Sequence, residues 1–234
     1  MKLSKNGIMF DCLNTLLLLK QMPSRKDEAL WGYRGIESIS PWKDSDSYLT
    51  DFLAARKILR RQCGPNRENT FYETILEAVG IASAEVSESE KHKLATLVEE
   101  SLLNSYIQAC AITPTTPDVL KQLGERLRLI VVSNFPIKGG IQRLLRTFGI
   151  EVYFQSVLNS ADTGWRKPDY RAYELGLKTI GLDVEKVVFV GDNLENDYLA
   201  PKSFGIDAIL FDHNDQHPEV PIRIRRLYDI LEFI

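Results

Sequence analysis

Asp11 is the first residue of the sequence whose type and position could do chemistry. It follows Gly7–Phe10, an apolar run typical of a buried β-strand. In open α/β sheets, ligands bind beyond the carboxyl ends of the strands. A carboxylate there can attack an electrophile or bind a metal ion, and a second carboxylate two residues later could move protons. Leu13 occupies that second position, and its side chain can do neither.

Polar residues also follow the later apolar runs of the sequence. They are Ser133 and Asn134 after residues 127–132, Lys167 before Pro168 at a predicted helix start, and Asp192 and Asp197 after residues 187–190. Because parallel strands end at one edge of a sheet, we expect these side chains to share a pocket with Asp11. The acids could hold a divalent cation, while Lys167 and Ser133 could bind an anion. Asp197 has a second interpretation, as the cap of a helix over residues 198–204.

The elements that must position these residues follow an alternating α/β pattern. Residues 127–132, 187–190 and 208–211 are predicted to be buried parallel strands, with a weaker strand near 152–158. Helical spacing of apolar residues lies between them, for example over residues 141–148. Helices that connect parallel strands cover both faces of a sheet. We therefore predict a Rossmann-like α/β fold that also includes the first strand.

Residues 17–112 show helical periodicity and no strand alternation. Apolar residues recur at helical spacing over 49–59, 71–79 and 94–106. Ser87 and Glu90 form a capping box before the last of these segments. We predict two domains, an α/β core of residues 1–16 and 113–234 and an inserted helical cap domain of residues 17–112.

Composition and charge exclude some classes of partner. The 234 residues carry a formal charge of −3, which gives no electrostatic basis for nucleic-acid binding. The apolar run 16–19 is far shorter than the roughly 20 residues that cross a bilayer, and no secretory signal is visible, so we predict no membrane partner. The three cysteines match neither a disulfide framework nor a zinc motif. We predict a cytoplasmic protein.

The polar residues fall into four motifs that resemble those of the haloacid dehalogenase (HAD) superfamily, over nearly the whole chain. The first is the run 11–16, Asp-Cys-Leu-Asn-Thr-Leu, where the family usually has a second aspartate in place of Leu13. The second is Ser133 at a strand end, and the third is Lys167 within the run 164–169. The fourth is Gly191-Asp192 followed by Asn196-Asp197. The helical segment 17–112 is similar to the cap of this family.

The resemblance implies a role for each matched residue. Asp11 would be a covalent nucleophile, and Thr15 and Ser133 would hydrogen-bond it or the transferred group. Lys167 would neutralise developing negative charge, and with Ser133 and Asn134 it would bind the substrate. Mg²⁺ would be held by Asp11, Asp192 and the backbone carbonyl of Leu13, with Asp197 in the same metal-binding set. The implied substrate is a small anionic molecule.

Leu13 leaves three functions open. In phosphatases of this family, the aspartate at this position protonates the leaving group and activates water, a contribution of typically about 10²- to 10⁴-fold. One hypothesis is a Mg²⁺-dependent hydrolase of phosphorylated substrates whose leaving groups depart easily. A second is a metal-independent 2-haloacid dehalogenase, because a halide leaves without a proton. A third is a non-catalytic descendant that binds a phosphorylated ligand.

Overall fold

A six-stranded parallel sheet forms the centre of the fold. The computed structural model describes residues 3–234. The strands are β1 Gly7–Phe10, β4 Arg128–Ser133, β5 Ser156–Asn159, β6 Val187–Gly191, β7 Asp207–Phe211 and β8 Arg223–Ile224. Their order in the sheet is β5-β4-β1-β6-β7-β8. Side chains of β1 alternate between two buried clusters, with Ile8 and Phe10 in one and Met9 in the other. Both faces of the sheet are therefore covered, which confirms the predicted α/β class.

Helices connect and cover these strands. The helices that follow residue 112 are α5 Thr116–Gly124, α6 Gly140–Thr147, α7 Ser160–Thr163, α8 Tyr170–Ile180 and α9 Ala200–Ser203. Short 3₁₀ turns lie at Glu151–Tyr153, Val184–Lys186 and Leu227–Glu232, and a wide π turn at Leu194–Leu199. Gly181 ends α8 with a φ of 64°, as expected for a glycine after a helix.

Two sequence predictions placed elements slightly wrongly. The weak strand near 152–158 begins only at Ser156, because Glu151–Tyr153 forms a 3₁₀ turn that leaves Val152 exposed. Pro168 lies before α8 and not within it, since Asp169 caps the helix and accepts a hydrogen bond from the Arg171 N–H. The buried strands and the helix over 141–148 are otherwise where the apolar patterns predicted them.

Four helices lie within residues 17–112, the segment that the sequence predicts to be helical. They are α1 Arg25–Tyr33, α2 Ser45–Cys63, α3 Phe71–Ala82 and α4 Glu88–Ala109. Each begins with a capping box, and that of α4 is the predicted pair Ser87 and Glu90. Their interior is aromatic, because the fully buried Tyr48 ring lies 4.9 Å from the Tyr33 ring and 5.0 Å from the Trp42 ring, measured between centroids. The capping boxes thus define where each helix begins, and the aromatic contacts pack the helices together.

The sequence showed no strand alternation in residues 17–112, but the structure has one short pair of strands there. β2 Leu18–Leu19 pairs antiparallel with β3 Cys110–Ala111, where the chain enters and leaves the segment. Two-residue strands carry too little alternation to be seen in a sequence. The domain boundaries at 16/17 and 112/113 stay a prediction. Within residues 3–234, no helix is both long and apolar enough to cross a membrane.

Glu99 is a half-buried carboxyl that makes the stability of the helical segment depend on pH. It accepts a hydrogen bond from the Tyr72 N–H at 3.0 Å. Burial raises the pKa of Glu99 to about 7, against the opposing effect of that hydrogen bond. An acid whose pKa is raised by folding favours the folded state when it is protonated. This stabilisation is complete below the unfolded-state pKa of about 4.3 and is lost as the pH rises through about 7.

We expect Glu99→Gln to flatten the change in unfolding free energy between pH 5 and pH 8. The amide keeps an oxygen for Tyr72 but cannot ionise, so the wild type should lose on the order of 1–2 kcal/mol more than the variant. Urea unfolding at both pH values measures the difference. Glu100→Gln is the matched control, because the hydrogen bond from Arg143 lowers the pKa of Glu100 and keeps it ionised across this range. Identical pH dependence in Glu99→Gln and the wild type would contradict the assignment.

Candidate active site

The carboxyl ends of three neighbouring strands bring the predicted polar residues together. In the sheet register, Phe10 pairs with Val131 on one side and with Val190 on the other. Asp11, the next residue, is therefore flanked by the ends of β4 and β6. The Ser133 hydroxyl donates to Asp11 Oδ1 at 3.1 Å. Asp11 and Ser133 are both buried.

Lys167 links the first and fourth motifs. Its Nζ lies 2.7 Å from Asp11 Oδ1 and 2.7 Å from Asp197 Oδ1. The side chain is almost completely buried. Burial alone would lower the pKa of this lysine, but the two carboxylates outweigh it and raise the pKa to about 12. Lys167 therefore stays charged and brings a fixed positive charge to Asp11.

The side chain of Asn134 positions Lys167 by hydrogen bonds to the backbone of that lysine. The Asn134 side-chain oxygen accepts from the Lys167 N–H at 2.8 Å, and its amide nitrogen donates to the Lys167 carbonyl at 2.9 Å. Both ends of the side-chain amide are thus occupied by the protein. The predicted contact of the Asn134 side chain with substrate stays a prediction, and the contact that the structure shows is with Lys167.

Asp197 belongs to the site and does not cap a helix. Asn193 caps the π turn, where its side chain accepts from the Asn196 N–H at 2.8 Å. Asp197 instead accepts from the Asn193 N–H at 3.0 Å and pairs with Lys167. A Cβ atom on Gly191 would lie 2.5 Å from the Asp197 carboxyl carbon. The glycine before Asp192 is therefore required by the close approach of Asp197, and the capping interpretation was wrong.

Three acids face one another with one lysine among them. Asp11, Asp192 and Asp197 each offer a carboxylate oxygen within 4.8 Å of the others. Burial and the charges of Asp11 and Asp197 raise the pKa of Asp192. Burial also raises the pKa of Asp197, although Lys167 opposes this. An all-oxygen donor set with excess negative charge fits a hard divalent cation such as Mg²⁺.

Leu13 and Thr15 differ in how well they match their predicted roles. The Leu13 carbonyl accepts no hydrogen bond from residues 3–234, so it is available to a metal ion. The Leu13 side chain is buried in the apolar core. The Thr15 hydroxyl is buried and has no partner among the described residues, so its predicted hydrogen bond to Asp11 is not present. Thr15 instead lines a separate cavity of about 620 Å³ with Thr116 and Leu227.

Sequence reasoning missed a contact between the helical segment and the lysine loop. Arg166 Nη1 lies 2.7 Å and 2.8 Å from the two carboxylate oxygens of Glu68, whose side chain is 4% exposed. The Arg166 N–H donates to the Asn66 carbonyl, and the Glu68 N–H donates to the Gly164 carbonyl. We call Asn66, Glu68, Gly164 and Arg166 the Glu68 clasp. No local signal links these residues, because they lie about 100 positions apart in the sequence.

A polar cavity of about 310 Å³ is lined by Asp192, one of the three acids. The turn after Asp11 contributes Asn14, and the segment that follows β2 contributes Lys20. Asn14 adopts a left-handed φ of 58°, which asparagine tolerates better than most residues. The loop after β7 supplies further polar side chains. The cavity is of a size suited to a small molecule.

Known proteins match this chain over most of its length. Residues 5–205 match the family described as haloacid dehalogenase-like hydrolase. The chain is 22% identical over 178 residues to ribulose-1,5-bisphosphate 5-phosphatase of Halopiger xanaduensis, which covers 74% of this chain and 71% of that protein. It is 30% identical over 116 residues to haloacid dehalogenase-like hydrolase domain-containing protein 3 of Homo sapiens. That match covers 48% of this chain and less than half, 45%, of the human protein.

A solved structure shares the whole fold. The 2-haloacid dehalogenase from Pseudomonas syringae pv. Tomato DC3000 superimposes with a TM-score of 0.76 over 97% of both chains. The two sequences are 19% identical, so this likeness concerns the fold alone.

Proposed function

The chain belongs to the haloacid dehalogenase-like hydrolase family, and we propose that it is a Mg²⁺-dependent member that acts on a small phosphorylated substrate. The observation that carries this proposal is the position of Asp192. Its carboxylate makes no hydrogen bond or ion pair with any other residue in 3–234, yet it is close to Asp11 and Asp197. Holding such a carboxylate half-buried beside two other acids is costly unless a cation or a proton compensates it. A halide-releasing site has no use for this third acid.

Asp11 is the nucleophile in this proposal. Its Oδ1 is held by Ser133 and Lys167, while Oδ2 has no hydrogen bond from the described residues and can attack. A bond forms from Asp11 to phosphorus as the bond from phosphorus to the leaving oxygen breaks. Water then attacks phosphorus, which releases inorganic phosphate and restores the carboxylate. The proposal places the charge of Lys167 where the negative charge of the transferred group develops.

The metal ion would add to this electrostatic stabilisation. Asp11, Asp192 and Asp197 would hold it together with the Leu13 carbonyl. When bound, Mg²⁺ supplies Lewis-acid stabilisation of the phosphoryl oxygens. The relative named above as a bisphosphate phosphatase supports phosphate chemistry for this donor set.

Leu13 keeps dehalogenation as the second candidate. A buried leucine cannot protonate a leaving alkoxide, whereas a halide needs no proton. In that reaction Asp11 would attack carbon, and the halide would leave as the ester forms. A third possibility is a binding protein that holds a phosphorylated ligand through Lys167 and Ser133 without turnover.

A panel of phosphate esters and 2-haloacids, assayed with and without Mg²⁺, tests the proposal. We expect phosphate release from activated esters, and removal of Mg²⁺ by a chelator should abolish it. Chloride release that persists in the chelator would overturn the proposal in favour of dehalogenation. Ligand binding without any turnover would favour the binding protein.

We also propose that α1–α4 act as a cap domain over this site, with the boundaries predicted from the sequence. The Glu68 clasp supports this, because it joins the loop between α2 and α3 to the residue before Lys167. We propose a cytoplasmic location, for which the three unpaired cysteines Cys12, Cys63 and Cys110 are the support.

A further inference from the structure

Two histidines lie on the cavity of about 310 Å³ that opens onto Asp192. They are His213 and His217, both half-buried in the loop after β7. The sequence showed no metal spacing around either residue. Asp192 and Asn14 line the same cavity, so these histidines share one space with one of the three site acids and with the residue after Leu13. A sphere of this volume is only about 8 Å across, which a small substrate would span.

The sheet register places His213 close to the end of β6. Gly191 pairs with Leu210, and the next residue on each segment, Asp192 and Phe211, lines the cavity. His213 follows two residues later along the same chain direction. Its ring stacks on the Phe211 ring, with 5.7 Å between centroids and 19° between planes.

The loop that carries His213 is held in a defined shape. The Asp212 carboxylate accepts hydrogen bonds from the N–H groups of Gln216 and His217, at 2.8 Å and 2.9 Å. Arg223 also contacts Asp212, at 3.2 Å, and Asp215, at 2.5 Å. Asp212 is therefore fully engaged as an acceptor. A side chain on such a loop can be presented to a substrate at little entropic cost.

The two histidines differ in their surroundings. The Nδ1 atom of His217 lies 3.4 Å from a Glu219 carboxylate oxygen. Among residues 3–234, the His213 ring has no hydrogen-bond or ion-pair partner. Lys20, the cationic side chain on the same cavity, is exposed to solvent. His213 is thus the imidazole of the cavity that has no partner among the described residues, and histidine is the side chain that most often serves in general acid–base catalysis.

We propose that His213 supplies the general acid–base function that Leu13 cannot supply. This inference rests on the proposed phosphatase function. As Asp11 attacks phosphorus and the bond to the leaving oxygen breaks, that oxygen takes a proton from the His213 imidazolium, which becomes neutral. Neutral His213 then takes a proton from the water that attacks the phosphoaspartate. The bond from phosphorus to Asp11 breaks, which releases inorganic phosphate and restores the Asp11 carboxylate and the His213 imidazolium.

Leaving-group dependence tests this role, because a proton donor matters most when the leaving oxygen is strongly basic. We expect His213→Gln to lower kcat for ethyl phosphate about 10²- to 10⁴-fold relative to kcat for 4-nitrophenyl phosphate, both measured with Mg²⁺. A role in folding alone would lower kcat for both esters equally.

His217→Gln is the matched control, since it removes the neighbouring imidazole from the same cavity. It should leave the ratio of the two kcat values unchanged. An unchanged ratio in His213→Gln, or a changed ratio in His217→Gln, would overturn the assignment of His213. If the wild type hydrolyses neither ester, the phosphatase proposal itself fails and the proton transfer fails with it. Hydrolysis of 4-nitrophenyl phosphate with an unchanged ratio would remove only the role of His213.

Discussion

Asp11→Asn is expected to abolish turnover, with a fall in kcat of about 10⁴-fold or more. The amide oxygen is too weak a nucleophile to form the covalent intermediate, whereas the amide still accepts hydrogen bonds from Ser133 and Lys167. The substitution should therefore remove the chemistry without removing the fold. Intact-mass analysis of acid-quenched enzyme should show a phosphorylated species for the wild type and none for the variant.

Asp46→Asn provides the control for this substitution. Asp46 is an exposed aspartate in the first turn of α2. Its replacement should leave kcat unchanged and should alter the unfolding free energy by no more than about 0.5 kcal/mol. Phosphorylation of Asp11→Asn, or retention of most of its activity, would show that another residue is the nucleophile.

Lys167→Met is expected to damage both activity and stability. Loss of the charge beside Asp11 should lower kcat about 10²- to 10³-fold, as for other fixed electrostatic donors. Removing one partner of a buried ion pair typically costs about 3–5 kcal/mol. In the variant, the remaining carboxyls would have raised pKa values and would favour the folded state when protonated. The loss of stability should therefore be larger at pH 8 than at pH 5.

Thermal unfolding with and without Mg²⁺ measures this second effect. A cation bound among Asp11, Asp192 and Asp197 would replace part of the missing charge, so saturating Mg²⁺ should recover part of the stability. Lys178→Met is the control, because Lys178 forms an exposed pair with Glu174 at 3.1 Å in α8. Its loss should cost about 0.5 kcal/mol or less. Equal losses in the two variants would argue that the charge at Lys167 is not structurally important.

The residues at strand ends were predictable from the sequence, because buried parallel strands have a simple signature. An unbroken apolar run followed by a polar residue identified Asp11, Ser133 and Asp192, and the parallel topology placed them together. Gly191 is a similar case, because the Asp197 carboxyl leaves no room for a Cβ atom there, which explains the glycine before Asp192. These features depend on residues that are near one another in the chain or that are forced together by the sheet.

Other parts of the site depend on contacts that no local pattern records. Asn134 was predicted to face the substrate, yet its side-chain amide forms two hydrogen bonds with the backbone of Lys167, which lies 33 residues away in the sequence. The Thr15 side chain takes no part in the hydrogen bonds around Asp11, although its motif position implied that it would. The His213 loop is shaped by Asp212 and Arg223, which meet only because β8 adds to the sheet edge. Such pairings are consequences of tertiary structure.

The Glu68 clasp links access to the site with its readiness to react. Lifting the helical segment from the sheet requires Glu68 and Arg166 to separate, and both charges must then be hydrated. The loop that is released also carries Lys167, whose ammonium group lies against Asp11. In the proposed mechanism, opening would therefore also release the loop that places Lys167 beside Asp11. The covalent intermediate would then form only when the helical segment is closed over the site.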